Sequence, residues 1–336
     1  MVSENRLDRR TAFASLVYAM AAGVSGCGRT SFAEKRRSDT GRFKVLCTTA
    51  LVADLLRNIA GDDRAEVRSI MGEGVDPHLY KGSPRDVRDL ADADLIFASG
   101  LHLEGKLSSL LHHLARQKRV YLLGDELTEN TTALNRADLW IRDSGVPDPH
   151  CWFDVKIWSE LAELVVEFIS RYDPENSQVY RQKCSAYQVE LQKLDQEMKT
   201  RIAEIPPSRR ILVTSHDAFR YFGRAYGVQV EGIQGLSTES EAGIRRTNQL
   251  VDLVVSLRLP AIFVESSVSD DNVSALVEGA RARGHELKIG GSLFSDAPGR
   301  FGTPEGTYIG MMKHNLKVFS EAMLGVATSG LSSRGL

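Results

Sequence analysis

One long amphipathic stretch, residues 176–205, constrains the fold of this chain more than any other segment. Apolar or aromatic side chains recur in it every three or four residues, with charged residues between them, which is the spacing of one face of an α-helix. Pro174 stands just before the stretch and Pro206 follows it, so the helix has defined ends. About 28 helical residues span roughly 40 Å. A coiled-coil segment is the alternative, but a rigid connector between two halves fits a single unrepeated stretch better.

Short apolar segments on both sides of this stretch predict β-strands. Several are continuously apolar, as strands buried on both faces of a parallel sheet are. Helix-like segments lie between them, at residues 51–60, 83–91 and 158–169. Alternating strands and helices are typical of α/β layers with parallel sheets. The predicted strands are residues 43–47, 95–99, 120–123, 211–214, 228–231 and 261–265.

The N-terminus carries the pattern of an export signal. Residues 12–26 are uncharged and follow three arginines, and a basic segment before a short apolar core is typical of a secretory signal peptide. A membrane-spanning helix would need roughly 20 apolar residues. The core ends in Val-Ser-Gly before Cys27, which resembles a bacterial lipobox, so we expect Cys27 to carry lipid. Ordinary cleavage beside a chance cysteine is the alternative, and the adjacent arginines leave the export route open.

Charge and cysteine content narrow the classes of partner. Lys and Arg number 42 against 44 Asp and Glu, a net charge of −2, so the chain has no basic excess with which to bind nucleic acid. Outside the cytoplasm, Cys47, Cys151 and Cys184 permit one disulfide and one free thiol, and spacing does not choose between the pairings.

The predicted segments are a signal peptide (1–26), a tether (27–42), an N-terminal α/β lobe (43–173), a linker helix (174–206) and a C-terminal α/β lobe (207–336).

The tripeptide Asp-Pro-His occurs twice, at residues 76–78 and 148–150. Random ordering of this composition predicts roughly 0.015 copies. Each proline stiffens the turn before its histidine, and neutral imidazole is the commonest metal ligand in proteins. A carboxylate close by can accept the second ring N–H and fix the tautomer. The two motifs therefore predict His78 and His150 as metal ligands.

Two further candidate ligands stand in the second half of the chain. His216 follows the predicted strand 211–214, and Asp296 follows the segment 290–295. Ligands of open α/β sheets gather at the carboxyl ends of strands, so both positions suit a site. Taken alone, however, a histidine near a strand end is more often a satisfied polar residue, and an isolated aspartate there is more often part of a turn.

Six ordered blocks of the sequence resemble the cluster A-I solute-binding proteins, the zinc- and manganese-binding components of bacterial ABC importers. The match runs from about residue 43 to residue 324, and the lipobox-like signal and the long central helix also fit. Many manganese-binding members have Glu where this chain has His216, and the histidine resembles the treponemal-type branch. The blocks are VDPHLYKGSPRDVRDLADADLIFASGLHLE (75–104), DPHCWFD (148–154), LVTSHDAFRYFGRAYGV (212–228), GIQGLSTESEAG (232–243), FVESSVS (263–269) and SLFSDA (292–297).

The resemblance implies two (β/α) lobes with parallel sheets, joined by one long rigid helix, with a metal site between the lobes. Carried over by motif, the ligands are His78 and His150 from the N-terminal lobe, and His216 and Asp296 from the C-terminal lobe. Three imidazoles and one carboxylate form a nitrogen-rich set that favours zinc. Related sites with these ligands also accept manganese, and the histidine-rich loop of the family's zinc specialists has no counterpart at residues 125–147. The sequence favours zinc, with manganese a close second.

Other metal-ligand residue types have simpler explanations. Cys151 follows His150 directly, and its thiolate is an alternative ligand, but a residue next to a ligand on an extended turn usually points away. Glu265 could support a ligand in family terms and is more simply structural. The remaining histidines are interpreted as surface or supporting residues without a named partner: His102, His112, His113, His285 and His314.

These observations predict a monomeric, lipid-anchored, extracytoplasmic protein that captures Zn²⁺ or Mn²⁺ and delivers it to the membrane permease of an ABC importer. It would be attached to membrane lipid through Cys27 and would have no enzymatic activity. One alternative is a zinc-dependent hydrolase or lyase in which three histidines leave a coordination position open, although no HExxH, GxSxG or P-loop motif supports it. Another is a metal-stabilised surface adhesin. Metal retention after Asp296→Ala would favour the enzyme.

Overall fold

The computed structural model describes residues 41–133 and 136–325. The predicted signal peptide (1–26), Cys27 and almost all of the predicted tether (27–42) lie outside the described residues. Within the described part of the chain, no helix combines the length and the apolar character needed to cross a membrane.

The N-terminal half is built on a four-stranded parallel sheet. Its strand order is β2-β1-β3-β4, and β3 is buried along its whole length. A two-stranded antiparallel hairpin, β5 and β6, follows later in the chain. The strands are β1 (Phe43–Cys47), β2 (Ala65–Ser69), β3 (Leu95–Ala98), β4 (Val120–Leu122), β5 (Arg142–Asp143) and β6 (Val146–Pro147), and the helices are α1 (Ala50–Ala60), α2 (Pro84–Asp92), α3 (Ser108–Ala115), α4 (Leu123–Ala133) and α5 (Val155–Tyr172).

The predicted connector is a single helix, α6 (Ser177–Ala203), of 27 residues. A 3-10 turn at Pro174–Asn176 precedes it, and a second turn at Pro207–Arg209 follows it. Its buried residues are the ones that the sequence pattern placed on one face: Tyr180, Cys184, Tyr187, Leu191, Leu194, Met198 and Ile202. The prediction of a long amphipathic helix is confirmed.

The C-terminal half contains two parallel strand pairs. Strand β7 pairs with β8, and β9 pairs with β10, while β7 also lies beside β9. The strands are β7 (Ile211–Thr214), β8 (Gln229–Gly232), β9 (Ala261–Glu265) and β10 (Lys288–Leu293), and the helices are α7 (Arg220–Tyr226), α8 (Ile244–Ser256), α9 (Asp271–Ala282) and α10 (Tyr308–Leu324).

Helix α6 packs against elements of both halves. It contacts α1 and α5, which precede it in the sequence, and α7 and α10, which follow it. The buried face of α6 belongs to one continuous apolar cluster that also includes residues from both halves, such as Leu55, Phe168 and Phe319. Such a shared core is what a rigid connector requires. The predicted fold class, α/β with parallel sheets and a long connecting helix, is confirmed.

Candidate metal centre

Four side chains from four separate loops converge on one point of the structure. His78 lies in the loop after β2, and His150 immediately precedes a 3-10 turn at Cys151–Phe153. His216 follows β7, and Asp296 follows β10. All four are buried, with exposures of 4%, 0%, 0% and 2% in that order, and their nearest ligand atoms lie within 4.8 Å of one another. The four residues predicted as metal ligands are therefore brought together.

His150 occupies the middle of the cluster. Its Nε2 lies 3.3 Å from Nε2 of His78, 3.4 Å from Nε2 of His216 and 3.4 Å from Oδ1 of Asp296. The Nε2 of His216 is 3.5 Å from the same Asp296 oxygen. Each imidazole thus presents its Nε2 to a common centre, together with one carboxylate oxygen.

These distances fit a single four-coordinate metal ion. Zinc bonds of 2.0–2.1 Å in a tetrahedron place neighbouring ligand atoms about 3.3–3.4 Å apart. Four of the six separations among the ligand atoms, 3.3 to 3.5 Å, match that edge length, and the other two, from His78 to His216 and to Asp296, are no longer than 4.8 Å. Moreover, Oδ1 of Asp296 is buried and accepts no hydrogen bond among the described residues. A buried carboxylate oxygen needs such a partner, and a metal ion would supply it.

The two Asp-Pro-His motifs form the same local turn. In each, the aspartate accepts a hydrogen bond from the backbone N–H of the histidine two residues later, at 2.8 Å for Asp76 and 2.9 Å for Asp148. This side-chain to backbone bond is a common turn-forming interaction of aspartate. The turn therefore fixes the direction in which His78 and His150 leave the backbone.

Carboxylates also hold two of the imidazole rings from behind. Oδ1 of Asp148 lies 2.8 Å from Nδ1 of His150, as the sequence analysis expected for a tautomer-fixing carboxylate. For His216 this partner is Glu265, whose Oε2 lies 2.6 Å from Nδ1 and whose Oε1 accepts the backbone N–H of His216 at 2.8 Å. Such contacts leave Nε2 free to bind metal and make it a better ligand.

Glu265 was considered from the sequence as a residue that could support a ligand, but a purely structural role was preferred, and His216 was not named as its partner; in the structure it contacts His216. Glu265 is the last residue of β9, while His216 lies just beyond the end of β7, and these two strands are neighbours. Residues at the carboxyl ends of adjacent parallel strands approach one another. The strand prediction at 261–265 therefore contained the signal that could have paired the two residues.

Burial and neighbouring carboxylates push the histidine pKa values in opposite directions. Burial lowers the pKa of His78 to about 4. Burial also lowers the pKa of His150, but Asp148 and Asp296 outweigh this and raise it to about 9. The pKa of Asp296 tends to rise on burial, yet His216 and His150 hold it well below its usual range. The carboxylates thus favour positive charge at this point, which a divalent cation provides.

A glycine-containing turn shapes the opening beside His78. Gly105 has φ +44°, and a Cβ at this position would lie 2.2 Å from the backbone oxygen of His78, so only glycine fits there. A cavity of about 420 Å³ opens beside this turn. Its lining includes His78, Gly105, Val146, Pro149, Leu236 and Glu239, which come from both halves of the chain.

The remaining candidate residues lie outside the four-residue group. Cys151 is buried and is not a member of the group, and burial raises the pKa of its thiol, which disfavours the metal-binding thiolate. Cys47, Cys151 and Cys184 are all free and buried, so no disulfide joins them. The rings of His102 and His112 lie near each other, with centroids 6.4 Å apart. His285 and His314 contact backbone oxygens through Nε2, at 2.8 and 3.0 Å.

Sequence comparison identifies relatives over most of the chain. The family model ZnuA, described as zinc-uptake complex component A, periplasmic, matches residues 45–322. The manganese-binding lipoprotein MntA of Bacillus subtilis (strain 168) is 40% identical over 315 residues, covering 94% of this chain and 99% of that protein. The zinc-binding protein TroA of Treponema pallidum (strain Nichols) is 41% identical over 294 residues, covering 87% and 92%.

Structural comparison gives the same picture. The structure of the periplasmic zinc-binding protein TroA from Treponema pallidum matches with a TM-score of 0.78 at 41% identity. The match covers 84% of this chain and 99% of that structure. A second structure, from a study of the metal-binding specificity of TroA, matches with a TM-score of 0.76 at 28% identity, with 84% and 99% coverage.

Proposed function

The chain belongs to the ZnuA family of metal-binding solute-binding proteins of ABC importers, and on this premise we propose that it captures zinc through His78, His150, His216 and Asp296. The single observation that supports the ligand assignment is the convergence of the four buried ligand atoms within 4.8 Å of one another, with four of their separations at 3.3 to 3.5 Å, the distance between neighbouring ligands of a tetrahedral zinc ion. Manganese is the second candidate, and the names of the relatives include both metals.

Zinc is favoured by the chemistry of the donor set. Three imidazole nitrogens and one carboxylate in a compact four-ligand cluster suit zinc, whereas manganese prefers oxygen-rich and octahedral surroundings. Neutral imidazoles do not balance the charge of the cation. The carboxylates that contact Nδ1 of His150 and of His216 add negative charge around it. A manganese ion would need further oxygen ligands to complete its coordination.

The chain is proposed to act without catalysis, as a carrier that passes its metal to a membrane permease. Asp296 favours this role over hydrolysis, because its oxygen lies 3.4 Å and 3.5 Å from two of the histidine nitrogens, where it would take the fourth coordination position. A hydrolytic zinc site keeps that position open for water. Each half of the chain contributes two ligands, so metal occupancy can be coupled to the relative position of the halves, which the permease can sense.

We also propose that the protein is attached to lipid through Cys27 and is a monomer. Its two lobes are proposed to span residues 43–173 and 207–336. The lipobox-like sequence before Cys27 supports extracytoplasmic anchoring, and relatives in this family include named lipoproteins. In cells that process the signal, Cys27→Ser should move the protein from the membrane fraction to the soluble fraction. Retention of the variant in the membrane fraction would contradict anchoring through this residue.

Competitive metal loading tests the proposed function. The purified protein is stripped with a chelator, offered equal zinc and manganese, and analysed for bound metal per chain by native mass spectrometry. We expect one zinc per chain, its loss in His216→Ala and its retention in His285→Ala, a histidine outside the cluster. Asp296→Ala should also weaken binding sharply. One bound manganese would overturn the preference for zinc, and strong zinc retention in Asp296→Ala would favour an enzyme.

A further inference from the structure

His78 lies on the side of the cluster that faces solvent. The cavity described above borders this residue, which is 4% exposed, whereas His150 and His216 are fully buried at 0%. A metal ion that leaves the cluster towards the cavity must therefore pass His78 first. The ease with which the metal ion leaves therefore depends on the contacts that hold the two halves of the chain together beside the cluster.

Away from His78, buried hydrogen bonds join the halves beside the cluster. The indole Nε1 of Trp152 donates to the backbone oxygen of Ser295 at 3.1 Å, and the hydroxyl of Tyr221 donates to the backbone oxygen of Asp148 at 3.0 Å. Each bond ends one or two residues from a member of the cluster. Bonds of this kind are well protected from water and fix the two halves relative to each other.

Beside His78, the halves are joined by a hydrogen bond between two side chains. The hydroxyl of Thr238 donates to Oδ2 of Asp76 at 2.5 Å, and Thr238 is 8% exposed. The other oxygen of Asp76 accepts the backbone N–H of His78. Asp76 therefore connects Thr238 in the C-terminal half directly to the backbone of a proposed metal ligand in the N-terminal half.

The loop that carries Thr238 is attached to the loop of His216. The backbone N–H of Gln234 donates to the oxygen of Ser215 at 2.9 Å, and the N–H of Asp217 donates to the oxygen of Gly235 at 3.2 Å. Both contacts flank His216 in sequence. If Thr238 moves relative to Asp76, the His216 loop therefore moves relative to the His78 loop.

We propose that Thr238 is a positioning residue that holds the metal site closed on the His78 side and slows metal release. It acts through Asp76 and does not contact the metal. The inference rests on the proposed function, because it assumes that the four-residue cluster binds a metal ion. Loss of the hydroxyl would leave Asp76 Oδ2 without its donor, and the two ligand loops would separate more readily. Metal would then leave faster while the ligand set stays the same.

The rate of zinc release tests this proposal. Zinc-loaded protein is mixed with an excess of a chromogenic chelator in a stopped-flow instrument, after zinc per chain has been measured. Thr238→Val and Thr238→Ala should each release zinc about tenfold faster, the factor that corresponds to one net hydrogen bond. Thr238→Ser retains the hydroxyl and should stay within about twofold of the wild type. Ser256→Ala, which removes a hydroxyl whose bond stays within α8, is the matched control and should release zinc at the wild-type rate.

Two further readouts separate positioning from general loss of structure. The absorption spectrum of the cobalt-loaded protein should be unchanged in Thr238→Val, because the ligands are the same, and the metal-free variant should unfold within a few degrees of the wild type, since one lost hydrogen bond changes the unfolding temperature only slightly. Equal release rates in the wild type and Thr238→Val would overturn the proposal. Release from Thr238→Ser that is as fast as release from Thr238→Val would also overturn it. A wild-type protein without stoichiometric zinc would overturn the proposed function and this inference together.

Discussion

The two Asp-Pro-His motifs have the same sequence and the same backbone turn, but their aspartates do different work. Asp148 contacts the ring of its own histidine at 2.8 Å, whereas Asp76 directs its second oxygen to Thr238 in the other half of the chain. The pKa of His150 rises to about 9 and that of His78 falls to about 4, where burial dominates. The local motif therefore fixes the turn, and the tertiary surroundings decide whether the carboxylate tunes the ligand or joins the two ligand loops.

Removal of the histidines should give the largest difference between the motifs. His150→Ala should weaken zinc binding about a thousandfold, because it removes the central ligand and leaves the buried Asp148 carboxylate without its ring partner. His78→Ala should weaken it by about tenfold to a hundredfold, since the cavity lets water take the vacated position. Competition titration against a chelator of known affinity measures both. A larger loss in His78→Ala would contradict the central role of His150.

The aspartates provide a sharper test of the same difference. Asp148→Asn should lower zinc affinity by about tenfold to a hundredfold, as expected when a carboxylate behind a ligating imidazole is lost. Asp76→Asn keeps an acceptor for the backbone N–H of His78, so its affinity should fall less while its rate of zinc release increases. Equilibrium titration and stopped-flow release separate the two effects. Identical behaviour of the two variants would mean that the motifs are equivalent.

Proton release on binding should show the smallest but most specific effect. Only neutral imidazole binds metal. A raised pKa keeps His150 protonated at pH 7, so zinc must displace its proton and affinity falls as the pH drops below about 9. His78, with a pKa of about 4, is already neutral and adds no pH dependence near pH 7.

Calorimetry in buffers of different ionisation enthalpy measures the released protons directly. Asp148→Asn removes a charge that raises the pKa of His150, so we expect fewer protons to be released at pH 7 than from the wild type. Asp76→Asn is the matched variant and should release the wild-type number. Unequal release from Asp76→Asn, with no change in Asp148→Asn, would reverse the assignment of the two roles.

The fold was predictable where the sequence pattern is strong. Strands β1, β3, β7 and β9 are apolar along most of their length, and they lie at the predicted positions. Strand β2 was missed because Glu66 and Arg68 alternate with its buried residues and hide it among polar segments. Strand β10 was missed because it contains Gly290, where a Cβ would come within 2.8 Å of the ring of Phe263. A glycine required by packing weakens the strand signal.

The site was predictable for the residues that carry a motif. The repeated tripeptide identified His78 and His150, and the family resemblance added His216 and Asp296, which the structure brings to the same point. Thr238 carries no comparable signal, because its partner Asp76 is 162 residues away in the sequence. Contacts of this kind depend on how the two halves pack, which local patterns do not encode.

X-ray absorption at the zinc edge of the loaded protein tests the central claim most directly, because it reports the type and distance of the atoms bound to the metal. The account predicts one zinc per chain with four nitrogen or oxygen neighbours at about 2.0–2.1 Å, and imidazole scattering from three histidines. His285→Ala should give the same spectrum, since this residue lies outside the cluster. A sulfur neighbour at about 2.3 Å would implicate Cys151 and contradict the ligand set. A signal from only one or two imidazoles would contradict the common centre formed by His78, His150 and His216.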